Sequence, residues 1–296
     1  MNKKYKISGF ADEIAQDLNT QTESLTKLDI HYMEMRGVDG NNLIFHSDEK
    51  VKEIKNKLDA SEISLSAIGS PLGKIGIEEP FEKHFEDFKR AVEIAHRMDT
   101  RNIRMFSFYV PEGSAKESEL PSLKNAFIKE QVFERIGRFV EYASENDILL
   151  LHENEKGIYG EKANECLELM KAFGGDHFKA IFDFANFVQA GQDTLEAYSL
   201  LKDYIFYVHV KDAYADNGNV VPAGFGDGNV STIIHDMLKN GYDGFFSLEP
   251  HLFNFTGFAG LERNNKKIGK IPGKALTGFE AFSLAHKALL KIFSEA

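Results

Sequence analysis

Eight short apolar runs, at residues 6–10, 31–36, 63–69, 102–108, 148–153, 179–183, 205–211 and 244–249, each give way to turn residues and then to a longer segment with helical spacing. This alternation constrains the fold more than any other feature, because strands separated by helices pair in parallel. Several runs are nearly continuous in apolar residues, as in Ile148-Leu-Leu-Leu and Ile205-Phe-Tyr-Val. Such runs mark strands covered on both faces. Between them, apolar Phe85, Phe88, Val92 and Ala95 recur every three or four positions in 81–97, and 133–144 and 163–173 behave likewise. A shorter helix is expected over 193–202, another over 230–239 capped by Asn229, and a last one over 276–293. Eight strand–helix units close into a (β/α)8 barrel, an α/β fold of about 250 residues. The 7 prolines are scattered and no linker-like run divides the chain, so residues 1–296 are expected to form one domain. An open doubly wound sheet would carry a glycine-rich loop after its first strand, where this chain has Ala11-Asp12-Glu13-Ile14.

Composition limits the partners. A formal net charge of −11 repels phosphate backbones, so nucleic acid is not expected as a partner. Cys166 stands alone, which fits a reducing compartment and a buried structural thiol. The N-terminal segment lacks the apolar stretch of a signal peptide, and no run approaches the roughly 20 apolar residues of a membrane helix. A cytoplasmic protein without membrane contact is the expectation.

The active end of a (β/α)8 barrel is where its strands finish. The fifth run ends in Leu-His-Glu and offers Glu153, and the sixth offers Asp183. The seventh reads Tyr-Val-His-Val-Lys-Asp and offers His209 and Lys211, and the eighth offers Glu249. Carboxylates converging at one spot repel and raise each other's pKa. A divalent cation resolves that repulsion. Three carboxylates and an imidazole suit Mn²⁺ first, with Mg²⁺, Co²⁺ or Zn²⁺ as alternatives.

The segments Glu153-Asn154, Phe182-Asp183-x-x-Asn186, Val208-His209-Val210-Lys211-Asp212 and Leu248-Glu249-Pro250 resemble the ligand segments of the sugar isomerase/epimerase superfamily of xylose-isomerase-like barrels. That group includes ketose 3-epimerases, inosose-type isomerases and dehydratases, hydroxypyruvate isomerase and endonuclease IV-like barrels. The resemblance runs over nearly the whole chain. It implies one metal ion on Glu153, Asp183, His209 and Glu249, with Glu153 and Glu249 as acid and base on a small sugar. It also implies a homo-oligomer, since members are often dimers or tetramers. Two departures stand out: Asn186 replaces the histidine many epimerases place there, and the arginine they carry after the metal-binding histidine is absent from Lys211-Asp212-Ala213-Tyr214-Ala215-Asp216.

The chemistry so implied is proton transfer beside a carbonyl through an enediolate. Asn186, Lys211, Phe253 and Arg263 are the expected substrate contacts, Lys211 also as an enediolate stabiliser. Phe253, Phe255 and Phe258 are expected to form a lid or pocket wall, or equally an oligomer contact. Glu34 and Arg36 read as a structural ion pair, His152 as a core histidine, and the glycine-rich 222–230 segment as a shaping loop rather than a phosphate cradle. A lyase or dehydratase acting on a keto-sugar or inosose would use the same metal and enolate. An endonuclease IV-like phosphodiesterase would need histidines at earlier strand ends, where Ile68-Gly69-Ser70 and Phe106-Ser107-Phe108-Tyr109 stand. A sugar-binding barrel without catalysis is the third alternative.

Overall fold

The computed structural model describes residues 5–111, 123–255 and 276–296. Eight parallel strands form its centre: β1 (Lys6–Gly9), β2 (Tyr32–Met35), β3 (Ser64–Ile68), β4 (Asn102–Met105), β5 (Leu149–Glu153), β6 (Phe178–Asp183), β7 (Ile205–Val210) and β8 (Phe245–Leu248). Each pairs with the next in the chain from β2 to β8, and β8 pairs with β1. β1 also packs beside β2, so the ring is nearly closed. The helices between strands are α1 (Leu18–Lys27), α2 (Asp48–Ala60), α3 (Phe81–Arg97), α4 (Leu123–Glu145), α5 (Ala163–Phe173), α6 (Phe184–Gln189), α7 (Thr194–Leu201) and α8 (Val230–Lys239), and α9 (Gly278–Ser294) follows the last strand. This is the barrel the alternating pattern predicts.

Successive strand residues point to opposite faces. One set, including Met33, Ile103, Leu150, Phe182 and Val208, packs against the helices. The other set fills the barrel, where Tyr32, Ala67, Leu149, Leu151, Ile181, Tyr207 and Phe245 form a separate apolar layer. The same alternation carries Glu34, Arg104, Glu153, Asp183, His209 and Glu249 inward above that layer.

Four local readings need correction. The run 102–108 leaves the sheet after Met105, because Phe106 N–H donates to Leu72 O and Tyr109 N–H to Ile75 O in the loop after β3. α4 extends well beyond the predicted 133–144. α6 was not expected; Asp183 nucleates it by accepting the Asn186 N–H at its N-terminus. Asn229 does not cap α8, for it sits in the left-handed region at φ 53° and its amide donates to Thr194 Oγ1 instead.

The loop after β3 is fixed by His84 of α3, whose Nε2 accepts the Gly73 N–H at 2.7 Å. Gly73 has φ +83°, and a Cβ there would meet Phe106 O at 1.9 Å, so only glycine fits. Burial first, and then Arg135, push the His84 pKa down to about 4, with Glu79 opposing. The unfolded chain therefore takes up this proton more readily than the folded one. Stability contributed here is complete above about pH 6.5 and is lost as pH falls toward 4. Urea midpoints of wild type and His84→Gln should differ in slope across that window, by up to about 3 kcal/mol in total. Parallel curves would contradict the assignment.

Candidate metal centre

Asp183 closes β6 and opens α6, and these two roles divide its carboxylate. Oδ1 accepts the Asn186 N–H at 2.8 Å, while Oδ2 has no hydrogen bond among the described residues, with Lys211 Nζ 3.1 Å away. His209 stands on the adjacent strand. Its Nε2 faces the Glu34 carboxylate at 3.0 and 3.2 Å, and Ser247 Oγ donates to the same carboxylate at 2.7 Å. A carboxylate on one imidazole nitrogen fixes the tautomer and turns the other toward a metal. That other nitrogen, Nδ1, lies 2.9 Å from Glu153 Oε1 and 3.7 Å from both Asp183 Oδ2 and Glu249 Oε2.

One ligand atom from each of Glu153, Asp183, His209 and Glu249 lies within 4.8 Å of the others, and all four residues are buried. The four sequence-predicted ligands are therefore brought together. Each glutamate has its own cation: Arg104 Nη1 donates to Glu153 Oε2 at 3.1 Å, and Arg36 Nη1 donates to Glu249 Oε1 at 2.9 Å. Lys211 Nζ donates to Glu249 Oε2 at 2.8 Å and lies 3.1 Å from Asp183 Oδ2, so it pairs with two candidate ligands.

The electrostatics follow from that crowding. Burial alone would raise the Glu153 pKa, yet His209 and Arg104 hold it near about 2. Burial is likewise overcome at Glu249, which Lys211 and His251 hold well below the usual range. Burial disfavours charge on His209, but Glu153 and Glu34 carry its pKa well above the ordinary value. Without a metal, a proton on Nδ1 supplies part of the positive charge the carboxylates require.

The donor set fits a divalent ion. Asp12, Glu34, Glu153, Asp183 and Glu249 face Arg36, Arg104 and Lys211. With His209 neutral, as a metal ligand must be, and Glu13 protonated below its burial-raised pKa of about 8, formal charges leave two negative charges uncompensated. One divalent cation supplies that difference. Glu13, Glu249 and His251 form a second group of close ligand atoms. There Arg36 already lies between the two acidic side chains, with Nη2 3.4 Å from Glu13 Oε1 and Nη1 2.9 Å from Glu249 Oε1.

Glu34 and Arg36 do not pair with each other as expected. Glu34 supports His209, and Arg36 grips Asp12, with Nε at 2.8 Å and Nη2 at 3.1 Å, as well as Glu249. Glu34→Gln should weaken Mn²⁺ binding by about 10–100-fold with the fold retained. Isothermal titration checks this, and unchanged affinity would remove Glu34 from the centre.

Of the expected substrate contacts, Asn186 and Lys211 lie at the centre. Phe253 packs half-buried against the main core, and Phe255 stands 5.3 Å from the Arg36 guanidinium. Arg263 and Phe258 lie outside the described residues. His152 is buried behind Glu153, where burial pushes its pKa down to about 4. The 222–230 loop is shaped by Asp212, whose carboxylate accepts the N–H groups of Ala213, Gly224, Gly226 and Gly228 and so leaves them nothing to offer a phosphate. Asp12, Glu13, Glu34, Arg36 and Arg104 were not anticipated at the centre. A charged residue on the inward face of an apolar strand is costly unless partnered, and Arg104 within Asn-Ile-Arg-Met carried that signal.

Among the described residues, no helix is long and apolar enough to cross a membrane. No curated protein matches the chain by sequence. A probable 3-DHS dehydratase from Bacillus anthracis, involved in petrobactin synthesis, is similar in structure, with 21% identity, a TM-score of 0.70, and 96% of this chain and 98% of that one covered. A D-allulose 3-epimerase from Methylomonas sp. in complex with D-allulose has 14% identity and a TM-score of 0.72, with 99% and 98% covered. A xylose isomerase-like TIM barrel protein from Mycobacterium smegmatis in complex with magnesium has 16% identity and a TM-score of 0.66, with 99% of each chain covered. At these identities the likeness speaks for the fold. The family pattern described as xylose isomerase-like TIM barrel matches residues 23–268, and the chain belongs to that family.

Proposed function

We propose that the protein is a divalent-metal-dependent sugar isomerase or epimerase that acts on a ketose or related keto-polyol through an enediolate. The observation that carries this reading is the pair Glu153 and Glu249: two buried carboxylates 2.9 and 3.7 Å from His209 Nδ1, each ion-paired with its own arginine. Glu153, Asp183, His209 and Glu249 would hold the ion, with Mn²⁺ the preferred metal and Mg²⁺ an alternative. Bound there, a divalent ion polarises the substrate carbonyl and stabilises negative charge on its oxygen.

The chain's own groups supply the rest. One glutamate takes the proton from the carbon beside the carbonyl; the proton is then returned at the neighbouring carbon by that same glutamic acid, or at the opposite face by the other glutamate after it has taken up a proton from solvent or a substrate hydroxyl. The first outcome is aldose–ketose isomerisation and the second epimerisation. Lys211, buried against Asp183 and Glu249, places an ammonium where charge develops on the substrate oxygens.

The same ammonium favours a second reading. A buried N–H donor beside the base can protonate a departing hydroxyl, which would turn the enediolate toward dehydration. Similarity to the Bacillus dehydratase is compatible with that outcome.

Incubation of the Mn²⁺-loaded protein in D₂O with ketoses, including D-allulose, and with keto-inositols and their phosphates tests both. After quenching with chelator, proton NMR should show loss of one C–H signal beside the carbonyl. A product lighter by one water would select the dehydratase. No exchange and no elimination with any compound, despite bound metal, would contradict the proposal.

A further inference from the structure

Glu153 is gripped from two sides, and each gripping residue keeps one buried polar atom unspent. Arg104 Nη1 donates to Glu153 Oε2 at 3.1 Å and Nη2 to Gly69 O at 3.3 Å, while Nε–H has no acceptor among the described residues. Asn186 Nδ2 donates to Asn154 O at 2.8 Å and to Glu153 Oε1 at 3.3 Å, while Oδ1 has no donor among them. Both residues are more than nine-tenths buried, at 3% and 1% exposure. A buried polar atom without a partner costs its full desolvation.

Arg36 shows what the same edge of a guanidinium does when filled. Its Nε and Nη2 both donate to the Asp12 carboxylate, at 2.8 and 3.1 Å. On Arg104 that edge carries only Gly69 O, so half of a two-pronged grip is open. The Arg104 guanidinium is also held in place. Its Cζ lies 5.0 Å from the ring centroids of both Phe10 and Phe106.

An open donor and an open acceptor thus belong to the two residues that flank the carboxylate. A chain of hydroxyl-bearing carbons complements both, since a hydroxyl oxygen accepts from Nε–H and a hydroxyl proton reaches Oδ1. A carboxylate would satisfy Arg104 but offer Asn186 no proton. We propose that Arg104 is a substrate-binding and specificity residue, whose Nε–H takes a hydroxyl oxygen beside the carbon presented to Glu153, and that with Asn186 it selects polyhydroxylated substrates. The inference rests on the proton-transfer reading of Glu153.

The test compares wild type with Arg104→Lys, which keeps the positive charge beside Glu153 but lacks the planar fork. The probes are the ketose that exchanges best in D₂O and its analogues lacking one hydroxyl at a time outside the reacting pair. Wild type should disfavour one deoxy analogue by about 10-fold or more, and Arg104→Lys should treat that analogue and its parent alike. A KM for the parent raised by at least about 10-fold should accompany this. Equal slowing of parent and analogues, with discrimination intact, would mean that Arg104 acts only through Glu153 and would overturn the proposal, as would wild-type behaviour. Saturation-transfer NMR of the same compounds on the Mn²⁺-free protein reads discrimination without turnover. Binding that discriminates in wild type but not in Arg104→Lys, with no exchange in either, would uphold the inference and sink only the functional reading. Arg104→Gln, which keeps an N–H donor without the charge, replaces the lysine variant if that one does not fold.

Discussion

Glu249→Gln is expected to slow substrate C–H exchange by about 10³-fold, with the protein still folded. The carboxylate accepts from Arg36 on Oε1 and from Lys211 on Oε2, and against its burial Lys211 and His251 hold its pKa well below the usual range. The amide is isosteric but neither takes a proton nor neutralises a metal. Removing one partner of a buried ion pair ordinarily costs about 3–5 kcal/mol. Here Arg36 retains Asp12 and Glu13, and Lys211 retains Asp183, so the loss should fall below that range. Thermal melting separates the two effects. A folded variant with normal exchange would remove Glu249 from the acid–base pair.

Removal of divalent ions should destabilise the wild-type protein by about 4 kcal/mol relative to a free ion concentration 1,000 times its dissociation constant. The metal-free centre should nonetheless persist, because Lys211 and a protonated His209 partly offset the converging carboxylates. That proton gives the effect a pH dependence. The pKa of His209 lies well above the ordinary value without metal, and its Nδ1 must lose the proton to become a ligand. Metal affinity, and with it the stabilisation, should therefore rise with pH through the neutral range. Denaturant titrations with Mn²⁺ and with chelator at several pH values check this. A metal increment that falls as pH rises would contradict the role of His209.

The barrel and the four candidate ligands were legible because both follow from short-range pattern. Continuous apolar runs followed by amphipathic segments leave few alternatives to a parallel sheet, and ionisable residues at the ends of four consecutive runs are too costly to be unrelated. What was missed depends on distance in the chain. Arg36 and Glu249 are separated by 213 residues and Glu34 and His209 by 175, and only closure of the barrel brings them together. Glu34 and Arg36, two residues apart at the end of one strand, suggested a local pair, whereas each has a better-placed partner across the barrel. The failure at Asn229 is of another kind, for its left-handed backbone follows from the turn that Asp212 builds with the neighbouring glycines.

Whether Glu153, Asp183, His209 and Glu249 together hold one divalent ion is decided by a Mn²⁺ titration of wild type and Asp183→Asn under equilibrium dialysis. Asp183 Oδ1 is spent on the Asn186 N–H while Oδ2 has no hydrogen bond among the described residues, so the asparagine side chain can keep the helix cap through its oxygen and turn its amide toward the metal position. Wild type should bind one ion per chain, and the folded variant should bind it at least about 100-fold more weakly. No bound ion in wild type, or equal affinity in both proteins, would contradict this.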